Sequence, residues 1–99
     1  MKSSGDIQPP DRSTYGTPLD YSSHEYRVYF EVSEHQGMAR KVIEAYLGPE
    51  RLENLTLLPY GYECEVAIQC VPDIVWELAK QNIAVYQVVR YAKTKNVWT

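Results

Sequence analysis

Long apolar runs are absent from this 99-residue sequence. No run approaches the ~20 residues that a helix needs to cross a bilayer. The first residues carry one lysine, Lys2, and lack the apolar core of a secretory signal peptide. We therefore expect no membrane segment and, by default, a cytoplasmic location.

Positive charge and histidine are also scarce. Ten Lys and Arg stand against 13 Asp and Glu, for a net charge of −3, which gives no electrostatic basis for binding nucleic acid. The histidines, His24 and His35, do not form a set of metal ligands. We expect no metal ion and no cofactor.

The sequence has two cysteines, Cys64 and Cys70. Both fall on one predicted strand, where six residues at ~3.3 Å each separate them by roughly 20 Å. A disulfide requires Cα atoms within about 7 Å, so a disulfide and a shared metal are both excluded. We interpret the two residues as buried thiols that pack as small hydrophobes, with intermolecular or redox chemistry as the alternative.

What the sequence does contain is a strand–helix–strand pattern over residues 62–91. Alternation over residues 62–70 predicts a strand with one buried face. Pro72 suits the first turn of a helix, and Asn82 suits its end. Residues 83–91 are rich in β-branched and aromatic side chains, which predicts a second strand. The helix between them has an apolar stripe at helical spacing, formed by Ile74, Val75, Leu78 and Ala79.

The preceding half of the chain predicts a strand, a helix and a short strand. Residues 26–32 alternate, with every second residue facing the core. Ser33 and Gln36 match a capping box, so we expect a helix that begins there and runs to about Leu47. Residues 55–58 form a short strand that a Pro-Tyr-Gly turn joins to the strand at 62–70 as a hairpin.

The two ends of the chain differ from this pattern. Residues 1–25 combine proline, glycine and serine with few apolar groups, so we expect a disordered tail. The alternative is a short linear motif around residues 15–21. Residues 93–99 form a C-terminal extension whose Trp98 we expect to pack on a sheet or on a neighbouring molecule.

These elements predict an α+β fold, a ferredoxin-like βαββαβ sandwich over residues 26–92. Its four-stranded antiparallel sheet has the order 4-1-3-2, with two helices on one face. The opposite face is open, and alternation leaves undecided which face of the last strand is buried. We expect an interface with another subunit or protein through a set of outward side chains: Tyr29, Glu31, Glu63, Glu65, Trp76, Tyr86 and Arg90.

The segment Glu34-His35-Gln36-Gly37-Met38-Ala39-Arg40-Lys41-Val42 resembles the motif that opens the first helix of ACT-type regulatory domains and, more loosely, of PII-like proteins. The resemblance covers this motif and the topology of residues 26–92. It implies a homodimer that binds a small effector at a subunit interface. The implied effector-binding residues are Ser33, His35, Gln36, Gly37, Met38 and Arg40.

Two further resemblances lead to different functions. Residues 35–40 are similar to the phosphate loop of acylphosphatase but are one residue short, and the family's catalytic Asn would have to be Asn54. RRM-type RNA binders share the predicted topology, but Glu63 and Glu65 stand where base-stacking aromatics belong.

We therefore expect a non-catalytic regulatory or protein-interaction module rather than an enzyme. The module either binds a small effector near Ser33–Met38 or acts as an adaptor for a protein partner. A homo-oligomer fits both forms.

Overall fold

The computed structural model describes residues 12–99. The strands are β1 (His24–Val32), β2 (Thr56–Leu58), β3 (Gly61–Ala67) and β4 (Val85–Val97). The helices are α1 (Met38–Leu47) and α2 (Cys70–Lys80), and 3₁₀ turns occupy Arg12–Thr14 and Pro49–Asn54.

The four strands form one antiparallel sheet in the order β2-β3-β1-β4. This confirms the predicted α+β class, the two helices and the strand order. β1 is central, and Tyr29 lies opposite Glu63 of β3 on one side and Val89 of β4 on the other. The short strand β2 and the long strand β4 are the two edges of the sheet.

The core lies between the helices and the inward faces of β1 and β3. The predicted alternation of β1 is confirmed, since every second residue from Tyr26 to Val32 is at most 6% exposed. Tightly buried apolar side chains lose contact with water, which is the dominant favourable term in folding. The side chains with zero exposure are Val28, Phe30, Ala39, Ile43, Cys64, Val66, Ile74 and Leu78.

α1 begins at Met38, so the predicted start at Ser33 is wrong. Gln36 and Gly37 have φ angles of 57° and 77°, which place the backbone in the left-handed region where the helix was expected to run. The Ser33 hydroxyl does not cap the helix; it accepts a hydrogen bond from the Ala84 N–H at 3.0 Å. The capping-box pattern was present in the sequence, but this contact with the start of β4 competes with it.

The cysteines do not share a strand. β3 ends at Ala67 and α2 already begins at Cys70, two residues before Pro72. Both thiols are nevertheless free and buried, as predicted. Burial raises the pKa of both, that of Cys64 to about 12.

Residues 12–23 lie against the domain, unlike the disordered tail that was expected up to residue 25. The Asp20 side chain is 2% exposed, and the Gln69 amide donates to the backbone carbonyls of Pro18 and Asp20 at 2.8 and 3.1 Å. β1 itself begins at His24. Few apolar residues are needed here because the segment is held by polar contacts. Residues 1–11 of the predicted tail lie outside the described residues.

β4 continues through most of the predicted C-terminal extension and ends at Val97. Its register with β1 shifts at three places, including one between Tyr26 and Val28. Beyond the strand, Trp98 stacks on Tyr46 of α1 with ring centroids 6.0 Å apart, and the Arg51 guanidinium lies 3.9 Å from its centroid. Trp98 therefore packs, as expected, but on α1 of the same domain rather than on a sheet or a neighbouring molecule.

Candidate functional site

α2 carries more apolar surface than the core covers. Cys70, Ile74 and Leu78 form one row at i, i+4 spacing and are buried. A second row, one residue further round the helix, consists of Val71, Val75 and Ala79 and remains half-buried or exposed. The predicted stripe was assigned wholly to the core, whereas Val75 and Ala79 face away from it.

The second row forms one wall of an apolar groove of about 740 Å³ between α2 and β4. Val88 and Arg90 of β4 line the opposite side, and residues 16–18 line one end. Trp76 stands at the rim with 61% of its surface exposed, and the Lys80 ammonium lies 4.1 Å from its ring centroid. The groove thus combines apolar walls with an exposed aromatic side chain.

The groove is adjacent to the outer edge of β4. Because β4 is last in the strand order, this edge pairs with no strand among residues 12–99. β4 is 13 residues long, and its side chains are mostly exposed. A long unpaired edge presents backbone N–H and C=O groups that can pair with another chain.

A bulge in β4 sets the direction of its basic side chains. Tyr26 pairs with Lys93 and Val28 pairs with Arg90, so between these pairs one residue of β1 opposes two residues of β4. Tyr26 and Val28 both face the core, and therefore Arg90 and Lys93 both lie on the helix side of β4. The sequence left undecided which face of this strand points to the core. The pairings of Arg90 with Val28 and of Val88 with Phe30 place both residues on the helix side.

Residues 16–18 of the N-terminal segment line one end of the groove and pack closely against Arg90. Gly16 has a φ of 76°, and a Cβ added to it would lie 2.6 Å from Nε of Arg90. The Arg90 guanidinium in turn lies 5.6 Å from the centroid of the Tyr26 ring. A side chain at position 16 would therefore displace Arg90 and change the shape of the groove.

The predicted effector loop, residues 33–38, is closed by its own side chains. The Glu34 carboxylate accepts hydrogen bonds from the backbone N–H groups of Ala39 and Arg40 at 2.9 and 3.1 Å. The Tyr62 phenol donates to the same carboxylate. Glu34 thus already occupies the position that an anionic effector would take at the start of α1.

The other predicted effector residues are dispersed. His35 and Gln36 are exposed, and the Arg40 guanidinium pairs with Glu44 at 2.9 Å. Met38 lines a different depression of about 610 Å³ on the outer surface between α1 and α2. The structure does not gather the predicted set around one cavity.

The predicted interface residues divide between the two faces of the sheet. Glu63 and Glu65 lie on the open face beside Arg27, which pairs with them at 2.6 and 2.8 Å. Trp76 and Arg90 lie instead on the helix side, at the groove. Tyr29 and Glu31 are half-buried members of the open face, and Tyr86 on β4 is 70% exposed.

The residues considered for catalysis lie in separate elements. Arg40 lies near the start of α1, whereas Asn54 ends the 3₁₀ turn that follows this helix. His35 is exposed in the loop before α1. Within residues 12–99 no group of three His, Cys, Asp or Glu is placed to hold a metal ion.

The second row of α2 and Val88 of β4 were missed as site residues. The available signal was the apolar stripe of α2 itself, which includes Val75 and Ala79. No helix within residues 12–99 is both long and apolar enough to cross a membrane.

Comparisons with protein-family models, with curated proteins and with solved structures gave no match.

Proposed function

We propose that this chain is a non-catalytic protein-interaction module with a ferredoxin-like fold. Its docking surface is the groove between α2 and β4 together with the outer edge of β4. The occupant is an extended segment of another protein. The βαββαβ order of the elements and the strand order support the fold assignment.

The observation that carries the proposal is the position of the apolar groove beside an unpaired strand edge. An extended segment that adds to such an edge gains main-chain hydrogen bonds, and alternate side chains of the segment point to the same side. In this domain that side is the groove, where Val75, Ala79 and Val88 would receive apolar side chains. Trp76 at the rim is a residue type that often anchors such contacts.

A second copy of the chain fits this edge less well. Pairing of β4 with β4 of another copy would bring together two strands that each carry Arg90, Lys93 and Lys95 and no acidic residue. Like charges on directly opposed strands are destabilising. The proposal therefore names a different protein as the partner.

The test is selection of binding peptides from a random peptide display library on the full-length chain, followed by affinity measurement by fluorescence anisotropy. Ala79→Arg places a long charged side chain in the groove, and Ala45→Arg is the matched control on the exposed face of α1. Selected peptides should lose at least tenfold in affinity for Ala79→Arg and retain it for Ala45→Arg. Equal binding to the two variants, or no selected peptide, would contradict the proposal.

N-methylation of a selected peptide tests the strand pairing itself. Alternate N–H groups of an added strand point toward β4, so only one of the two alternating methylation patterns should abolish binding. Equal tolerance of both patterns would show that the peptide does not pair as a strand.

Sedimentation of the chain without peptide, together with Trp76 fluorescence, tests the two other possible occupants of the groove, a second copy and the chain's own residues 1–11. A stable dimer that Ala79→Arg dissociates would identify a second copy as the occupant and overturn the proposal. In a monomer, quenching of Trp76 by acrylamide in a Trp98→Phe background should be efficient. Protection of Trp76 would mean that the chain's own residues 1–11 fill the groove, which would also overturn the proposal.

A further inference from the structure

We infer that the segment bound beside β4 is acidic, with carboxylates that face Arg90 and Lys93. The inference rests on the docking function proposed above and names the chemistry of the partner.

The charge on β4 differs in sign from that of the whole chain. The chain has a net charge of −3. β4, with the sequence VYQVVRYAKTKNV, carries three basic residues and no acidic one. This long edge of the sheet is therefore a positive strip on a negatively charged protein.

These three cations, like Lys41 on α1, form no ion pair with a carboxylate among residues 12–99, whereas most other basic residues there do. Arg27, Arg40 and Lys80 each lie within 3.1 Å of a glutamate. Within residues 12–99, no carboxylate lies within the 4.0 Å ion-pair distance of the basic groups on β4. Arg90 has other contacts, a hydrogen bond to the Tyr91 carbonyl and the Tyr26 ring, which leave its charge uncompensated.

Two of the cations lie at or near the groove. Val88 and Arg90 line it, and the bulge keeps Lys93 on the same side of the strand as Arg90. Lys95 instead lines a separate depression of about 570 Å³ with Glu25, Glu50 and Glu53. A segment pairing along β4 would thus meet apolar surface at Val88 and positive charge at Arg90 and Lys93.

The same lysines act as a specificity device. Lysine on an edge strand opposes pairing with neutral or basic strands, including β4 of a second copy. An acidic segment escapes this penalty, and complementary charge raises its association rate. The basic strip thus selects among extended segments, whereas the groove supplies apolar contact.

Charge reversal on both partners tests the inference. The probe is an acidic library-selected peptide whose binding Ala79→Arg weakens, together with its Glu→Gln and Glu→Lys versions. The protein variants are Lys93→Glu and the control Lys41→Glu, which changes an exposed lysine on α1. Circular dichroism and the midpoint of thermal unfolding establish that each variant is folded.

The Lys93→Glu variant should bind the acidic peptide at least about threefold more weakly and should bind the Glu→Lys peptide better than the parent protein does. The Lys41→Glu control should bind all three peptides as the parent does. Affinity of the acidic peptide should also fall as salt rises from 50 to 500 mM, because exposed charges are screened.

The outcomes separate the inference from the proposed function. If Ala79→Arg weakens the selected peptides but they lack acidic residues or ignore the lysine reversal, the inference is wrong and the docking function stands. If no selected peptide responds to Ala79→Arg, the docking function itself fails, and the inference fails with it.

Discussion

Asp20 is a buried carboxylate that organises the N-terminal segment. It accepts hydrogen bonds from the N–H of Gly16, from the N–H and hydroxyl of Ser22, and from the phenol of Tyr26, all between 2.5 and 2.9 Å. Burial by itself would raise the pKa of this carboxyl, but the four hydrogen bonds outweigh it and lower the pKa to about 2. Folding therefore stabilises the ionised form.

We expect Asp20→Asn to lower the free energy of unfolding at pH 7 by up to about 2 kcal/mol. The folded-state pKa of about 2 lies below the ordinary value of 3.8. The stabilisation is thus present above pH 4 and is lost as the pH falls toward 2. Urea unfolding at a series of pH values measures it, and the deficit of the variant should shrink over that window.

Asp73→Asn is the matched control, because Asp73 is an exposed aspartate with a single hydrogen bond from Tyr46. Both variants retain Glu25, another buried carboxyl, whose pKa is raised by burial. The difference between their stability–pH profiles therefore reports on Asp20. The same pH dependence in both variants would show that Asp20 is not held as described.

At the scale of elements, the start of α1 depends on one side chain outside the helix. Glu34 binds two first-turn N–H groups that have no partner within the helix. The pKa of its carboxyl is lowered, since burial is outweighed by hydrogen bonds from Tyr62, Ala39 and Arg40. The cap and the phenol of β3 together tie the helix to the sheet.

Glu34→Ala should cost about 1 kcal/mol of stability, the usual effect of losing a helix cap, because both N–H groups lose their acceptor. Glu34→Gln retains an acceptor oxygen and should cost less. Chemical denaturation of both variants and of Glu53→Ala, an exposed glutamate outside the helix, provides the comparison. A loss for Glu53→Ala as large as that for Glu34→Ala would refute a specific capping role.

α2 and β4 together form the groove, to which we assign the proposed docking function and which neither element has alone. The first apolar row of α2 is buried in the core. The second row lines the groove beside β4, which is an edge of the sheet. Exposed apolar surface of this kind is costly to a free domain and is typical of interaction sites.

At the scale of the whole molecule, the reactivity of the two buried thiols should measure unfolding of the whole domain. Cys64 is fully buried and Cys70 is 6% exposed, and burial raises the pKa of both thiols. The thiolate is the reactive form, so neither cysteine should react with a disulfide reagent in the native state. Their alternative roles in redox or intermolecular chemistry would require access that the fold denies.

Labelling with Ellman's reagent should therefore follow the unfolding of the domain, and urea should expose both thiols together. Ala45→Cys, which adds a thiol at an exposed position of α1, should react at once and serves as the control. Rapid native labelling of Cys64 or Cys70 would reveal a local opening of the core.

The sheet has two edges of very different character. β2 is three residues long, whereas β4 is 13 residues long and carries the basic strip. A short edge offers few hydrogen bonds to another strand, and β4 offers many. The two strand lengths are the reason that the proposed strand addition is assigned to β4 and not to β2.

Much of the fold was accessible from the sequence. Alternation identified β1 and the inward residues of β3, and helical spacing identified both helices, because periodicity follows directly from local backbone geometry. The strand order followed from the βαββαβ arrangement. The free thiols were predicted too, although for a wrong geometric reason, since Cys70 belongs to α2.

Contacts between residues distant in sequence decided the rest. The Ser33 hydroxyl does not cap α1, because it accepts a hydrogen bond from the N–H of Ala84, which is 51 residues away in the sequence. Residues 12–23 are held by Gln69 through contacts that composition cannot reveal. The site was decided in the same way. The sequence shows that Val75 and Ala79 belong to an apolar stripe, but only the packing of α2 in the folded domain shows that they line the groove beside β4.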